Sequence, residues 1–404
     1  MENIDWEHIH FNELDTILRI NSQDTSVIDE EVGKSTTPLC LACKFKREDL
    51  LTVLLFHRAR TDKRSSNGKL PLHYACNHAS GNRGMVRKLL EAKAEIDARD
   101  SSGNTSLHLA CKQANIPVVE LLIENGATVN LGDRNGETPL VVACYSFSTD
   151  LVNVLLKAGS DPNVLGGCPV QVAVGYSSPA LLNLLIAAGA HLTGRGYLSL
   201  ACVYGHFSII KTLLESGADV NELNFMNMTP LHSALYAPQS STNIARLLLR
   251  SGANIHAAPL LHLACDKSDT AKIKLLLAYG ADANVRDHLG CSPLIKLVDF
   301  FQNGLLEPKK RHLQTMRLLI AAGSKLSQGH LSGTNMTNWL TEPMSVELKA
   351  TLELLVYMAA NPPDLQFQCR IVIRRSIPPN KDEHIVELPL PPKIIRYLTF
   401  DEIE

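Results

Sequence analysis

At 404 residues the chain exceeds one ordinary domain, so it holds either two domains or one elongated array of repeats. Apolar residues make up 45% and charged residues 20%, a balance that builds a core under a soluble surface, while a formal net charge of −2 lacks the strongly basic face that nucleic acid requires. Aromatic content of 5% disfavours large β-sandwiches and suits thin helical layers filled by Leu and Ala.

In chain order, the start Met1-Glu2-Asn3-Ile4-Asp5-Trp6 has neither a basic nor an apolar leader region, so no signal peptide is expected. No apolar run reaches the roughly 18 residues that a bilayer span needs, so no membrane partner is expected. Trp6 to Ile20 reads as an amphipathic helix that precedes the first full unit and caps it. Gly33-Lys34-Ser35 imitates the end of a phosphate loop, but the motif requires Gly where Ile28 stands, so a turn is expected instead.

From there a motif of the form Thr-Pro-Leu-His-x-Ala-Cys recurs. It begins at Thr37, Leu70, Thr105, Thr138, Cys168, Gly196, Thr229, Pro259 and Ser292, in steps of 28 to 35 residues. Thr followed by Pro opens a first helix, because the hydroxyl caps a free amide and Pro suits the first helical position. A second helix carries apolar stripes such as Val118, Leu121 and Leu122, then Val152, Leu155 and Leu156, then Ile244, Leu247 and Leu248. It closes on Gly126, Gly159, Gly189, Gly217, Gly252, Gly280 and Gly323, each suited to a left-handed cap. Asp219-Val220-Asn221 and Asp282-Ala283-Asn284 then lead into a projecting finger. Arg58 and Lys93 replace the closing Gly, so the first two second helices are expected to end differently or under mild strain. Leu192 to Gly196 leaves little room for a finger. About ten residues beyond the unit's needs fall around Phe301 to His312, between the two helices of the ninth repeat.

Motif and period resemble ankyrin repeats, most closely in Thr105-Ser106-Leu107-His108-Leu109-Ala110-Cys111 and Thr229-Pro230-Leu231-His232. The resemblance implies an all-α ankyrin solenoid of nine clear repeats, with a degenerate tenth from about Thr334 to Ala360. It implies that His73, His108, His232 and His262 tie turn to helix by hydrogen bonds; a metal reading fails because each lies a whole repeat or more from the next. Cys43, Cys76, Cys111, Cys144, Cys202 and Cys265 share a slot for a small buried residue, and Cys40 with Cys43 lacks the second pair that zinc would need. Such thiols fit a reducing compartment. First helices line the concave face of ankyrin arrays, which singles out Tyr74, Tyr145, Tyr204 and Tyr236 as substrate contacts. Phe225, Met226 and Met228 join them at a finger tip. The competing reading is that some of these pack against neighbouring repeats.

After Asn361-Pro362-Pro363 the composition changes. Leu365, Cys369 and Ile373 are spaced by four and form one helical stripe, and Leu388-Pro389-Leu390-Pro391 comes after a Pro-rich loop. Together they resemble a SOCS box, and the whole chain is similar to the ankyrin-repeat and SOCS-box family. That resemblance implies that Leu365, Cys369 and Ile373 bind elongin C within the elongin B–elongin C pair. It likewise implies that Leu388, Pro389, Leu390 and Pro391 direct the complex to cullin-5 with its RING partner. The expected organisation is an N-terminal cap over 1–32, ankyrin repeats over 33–360 and the box over 361–404. The expected function is a substrate receptor of an elongin–cullin-5 ubiquitin ligase, delivering an unidentified protein for ubiquitination and proteasomal degradation. It would do so in the cytoplasm, with the nucleus left open. No nucleophile, base, metal cluster or cofactor site can be assembled, so an enzyme is not expected. The alternative is an ankyrin scaffold whose tail is only a structural cap.

Overall fold

The computed structural model describes residues 28–29, 36–79, 82–164, 169–238, 241–256, 259–302 and 310–325. The expected N-terminal helix, the phosphate-loop lookalike, the tenth repeat and the whole C-terminal box lie outside them.

The chain divides into two compact units, Met1–His191 and Leu192–Glu404. The described residues of the first unit hold five helix pairs: α1 Pro38–Lys44 with α2 Glu48–Phe56, α3 Pro71–Cys76 with α4 Arg83–Glu91, α5 Ser106–Lys112 with α6 Ile116–Glu124, α7 Pro139–Tyr145 with α8 Thr149–Lys157, and α9 Pro169–Gly175 with α10 Pro179–Ala187. The second unit holds four: α11 Tyr197–Tyr204 with α12 Phe207–Glu215, α13 Pro230–Tyr236 with α14 Thr242–Arg250, α15 Leu260–Asp266 with α16 Thr270–Ala278, and α17 Pro293–Gln302 with α18 Lys310–Ala321. Within each unit first helices pack on first helices and second on second. None is long and apolar enough to cross a membrane.

Helices of seven to nine residues are far too short to stand alone in water. Burial against neighbours supplies what propensity cannot. Leu89, Leu122, Leu155 and Leu213 are fully enclosed, and each such side chain contributes roughly 1.5–3 kcal/mol relative to exposure. The buried stripe differs from the expected one in register. Leu151 joins Val152 and Leu155, while Leu156 and Leu247 are only half-buried. The helix presents its i, i+1 and i+4 positions to its neighbours on both sides.

Polar bridges couple consecutive repeats. Asn163 donates from Nδ2 to the carbonyl of Gly189 at 3.1 Å and accepts from the His191 amide at 2.7 Å. Asn130 makes the same rung in the first unit, as do Asn221 and Asn284 in the second. Each rung satisfies the end of a second helix, whose last carbonyls have no partner of their own.

Arg58 and Lys93 keep the left-handed turn without glycine, at φ of 63° and 62°. At the shortened join in the second unit, Gly196 has a φ of 63°, and a Cβ there would lie 2.8 Å from the Cβ of Asn224. Only glycine fits. The stretch 301–312, where extra residues are expected, takes in the end of α17 and the start of α18, with 303–309 outside the described residues, and both helices are longer than their counterparts, at 10 and 12 residues.

Candidate functional site

Of the four repeated histidines, His73, His108 and His262 act as struts between repeats. The Leu70 amide donates to Nδ1 of His73 at 3.1 Å, while His73 Nε2 faces the Asn104 carbonyl of the next repeat at 3.1 Å. His108 repeats this with the Thr105 amide at 3.1 Å and the Glu137 carbonyl at 3.0 Å. An amide can only donate and a carbonyl can only accept, so both rings are neutral with the proton on Nε2. Burial, the largest influence, lowers the pKa of both rings. The Thr105 hydroxyl lies 2.8 Å from the same Nδ1 instead of capping an amide. Hydroxyl caps of the expected kind occur at Thr37 and Thr229, whereas buried Thr138, with Val141 in the His slot, has no hydroxyl partner among the described residues.

The six cysteines of the shared slot are all buried, as is Cys40. Burial pushes the Cys40 thiol up to about 11 and the Cys43 thiol well above its ordinary value. The reactive thiolate is therefore suppressed. Among the described residues no group of three or more His, Cys, Asp or Glu could hold a metal ion.

Aromatic and charged side chains at the ends of the first helices remain as the surface with binding chemistry. In the first unit Tyr145 closes α7 and is 45% exposed. Phe147 comes next in the turn at 50%, and Tyr176 stands in the next repeat's turn at 59%. Tyr176 meets Tyr145 edge-on with centroids 6.4 Å apart and Phe147 at 5.0 Å, within the preferred range for aromatic pairs. Burial first, then the Glu137 carboxylate, raises the Tyr145 hydroxyl pKa. Tyr74 is half-buried; its hydroxyl donates to Ser65 Oγ at 3.0 Å and its ring lies 5.9 Å from Lys69 Nζ.

In the second unit Tyr204 stacks on His206 at 5.5 Å. Tyr236 lies under Lys267, whose Nζ is 4.5 Å from the ring centroid and also donates to the Tyr236 carbonyl. Lys296 pairs with Asp266 at 3.1 Å. Phe225 and Met226 project from a finger tip at 89% and 59% exposure. Below them Asn224 Oδ1 accepts the amides of Met226 and Met228 at 2.9 and 3.0 Å, which closes the turn.

The structure thus brings Tyr145 into a cluster and leaves Tyr74, Tyr204, Tyr236 and the Phe225–Met226 tip at separate places within their units. Sequence reasoning missed Phe147 and Tyr176. The signal was available in register: among the described residues the left-handed residue of this turn is Lys46, Ala114, Ser177, Gly205 or Ser268 in other repeats, and an aromatic ring only at Phe147. Leu365, Cys369, Ile373 and Leu388 to Pro391 lie outside the described residues.

Family models match the chain as ankyrin repeats in three copies, over 9–100, 78–165 and 170–259, and as a SOCS box over 361–399. Among curated proteins, the nuclear factor NF-kappa-B p105 subunit of Gallus gallus is 31% identical over 200 residues, 44% of this chain and 19% of that protein. The B-cell lymphoma 3 protein homolog of Mus musculus is 30% identical over 148 residues, 33% of this chain and 32% of its own length. The matches thus span less than a third of either relative. Among solved structures, the human ASB11 ankyrin repeat domain is 27% identical and aligns with a TM-score of 0.43, covering 62% of this chain and 98% of that one.

Proposed function

The chain belongs to the ankyrin-repeat and SOCS-box family, and on that premise we propose that it is the substrate receptor of an elongin B/C–cullin-5–RING ubiquitin ligase. The observation that carries this reading is the order of parts, a SOCS box over 361–399 after ankyrin repeats. The repeats hold a target protein and the box tethers it to the ligase, so this chain contributes proximity while the transfer chemistry belongs to its partners. The ubiquitinated target then goes to the proteasome. The domain limits at 32/33 and 360/361 are part of the proposal, as is work in the cytoplasm. Leu365, Cys369 and Ile373 form the stripe that enters a groove on elongin C, in the manner of an amphipathic helix burying its apolar face. Leu388 to Pro391 select cullin-5 over cullin-2.

Co-expression with elongins B and C tests this. The full chain should co-purify with both, and L365A with C369A should abolish the complex. Replacing Pro389 and Pro391 by Ala should spare the elongins and lose cullin-5. Elongins retained by the first variant would sink the assignment and leave a scaffold with a capping tail.

A further inference from the structure

The finger turns of both units share one register. Asp100, Asp133 and Asn224 each accept, on one side-chain oxygen, the amides of the second and fourth residues that follow. In the first unit the very next residue seats its own amide on the finger before it. Ser101 donates to the Asn67 carbonyl at 3.1 Å, and Arg134 to the Ser102 carbonyl at 3.2 Å. The approach is close, since a Cβ at Gly68 would lie 2.6 Å from Ser101 Oγ and one at Gly103 2.6 Å from the Arg134 nitrogen. Each of these fingers has an edge that the preceding finger covers with a carbonyl.

The second unit differs at its first finger. The join that precedes it, 192–196, passes through a bend at 193–195 straight into α11 and forms no finger of its own. A Cβ at Gly194 would meet nothing within 4 Å, and Gly196 approaches only the base of the next finger, at Asn224. Phe225 stands where Ser101 and Arg134 stand in the first unit, yet its amide has no acceptor among the described residues. Leu223, Phe225 and Met226 around it are all more than half exposed. An unpaired edge amide flanked by apolar side chains is a template for added backbone. The first unit shows what fits such an edge, a turn or extended segment that presents a carbonyl.

We propose that an extended segment of the target protein takes the open finger position ahead of 224–228, with one of its carbonyls accepting from the Phe225 amide and an apolar side chain lying against Phe225 and Leu223. This names the mode by which the receptor proposed above grips its target, and it rests on that reading. Phe225 is also the second residue of a turn that the Asn227 amide closes on the Asn224 carbonyl at 2.9 Å, a position that proline suits. Proline there deletes the amide hydrogen and keeps the turn, so the backbone contact can be tested apart from the ring.

The test is fluorescence anisotropy with the full chain and a labelled, disulfide-closed hairpin that carries the turn sequence of 65–69, Ser-Ser-Asn-Gly-Lys, between Val and Leu residues. The hairpin should bind saturably. F225A should lower its affinity roughly tenfold, and F225P about fivefold further, the contribution of one hydrogen bond. F225P should leave the unfolding temperature unchanged, whereas S101P, which breaks the bond to Asn67, should lower it by several degrees. Absence of binding, equal affinities of F225A and F225P, or a lowered unfolding temperature in F225P would each overturn the proposal. So would wild-type dimers in sedimentation that F225P dissolves, which would give the edge to a second copy, or capture by phosphatidylcholine vesicles that F225A abolishes. L365A with C369A should leave hairpin affinity unchanged. Failure of elongin capture with hairpin binding intact would therefore count against the ligase reading alone.

Discussion

The two units are built from the same repeat but satisfy its buried polar groups differently. In the first, His73 and His108 each accept an amide and donate to a carbonyl one repeat on. In the second, His262 reaches the Cys291 carbonyl at 2.8 Å, but its helix is preceded by Pro259, which has no amide hydrogen, and Nδ1 is buried without a partner among the described residues. A second contrast concerns the carbonyls at the ends of first helices. In the first unit neutral amides reach them, Asn82 to Ala75 and Asn115 to His78, both at 3.0 Å. In the second the buried ammonium of Lys272 does so, 3.3 Å from the Ala234 carbonyl and 3.7 Å from Asp269. Burial lowers its pKa, and Asp269 opposes that. A repeat motif therefore specifies which groups must be satisfied, not which residue satisfies them, and charge is a costlier solution than an amide.

The contrast is sharpest at the histidines. His108→Ala strands the Thr105 amide and the Glu137 carbonyl and opens a cavity, so it should destabilise the first unit by about 2–5 kcal/mol. His262→Ala removes one bond fewer, and should cost about 1 kcal/mol less. Urea unfolding, with hydrogen exchange to locate the loss by repeat, measures both. Equal costs would break the comparison. In the converse experiment, Pro259→Thr supplies the missing amide and should stabilise the second unit by about 1 kcal/mol.

A smaller effect should accompany pH. The folded-state pKa values of His73, His78 and His108 lie below the ordinary value of 6.5, with burial the main cause in each. The unfolded chain therefore takes up these protons first. Stability is whole above about 6.5 and falls as the pH drops from there toward the lowered native values. In the second unit burial lowers His232 in the same sense, one ring against three among the described residues. Hydrogen exchange at pH 7 and pH 5 should show the first unit losing more protection. Uniform loss across both units would contradict this.

How much of the fold is legible in the sequence depends on what each residue must satisfy. The period, the left-handed helix ends, the buried cysteine slot and the bridges of His73, His108 and His262 all come from local sequence meeting a repeated geometry, and the structure places them accordingly, whereas only Thr37 and Thr229 of the threonines cap as expected. The second-helix stripe is shifted by one position, since Leu156 and Leu247 look as apolar as Leu151 and Ala245, and only packing against two neighbours separates them. Phe147 and Tyr176 escape a sequence reading because their exposure depends on which turn they fall in. Their meeting depends on the alignment of two repeats whose starts are 30 residues apart.

The smallest effect concerns the ends of the second helices. Every described one in the second unit closes on glycine, at Gly217, Gly252, Gly280 and Gly323, whereas the first unit begins with Arg58 and Lys93 in the same left-handed turn. A side chain there costs about 1–2 kcal/mol relative to the right-handed form. Glycine removes that strain, but it loses roughly 0.5–1 kcal/mol more conformational freedom on folding. Lys93→Gly should therefore gain only about 0.5 kcal/mol, the difference between two opposed terms of similar size. The reciprocal Gly217→Lys should lose about as much, because a Cβ at Gly217 meets nothing within 4 Å and strain alone decides the sign. Thermal unfolding of the pair reads both at once. If Gly217→Lys were neutral, the left-handed turn would tolerate a side chain freely, and the absence of glycine at the start of the first unit would have no energetic consequence.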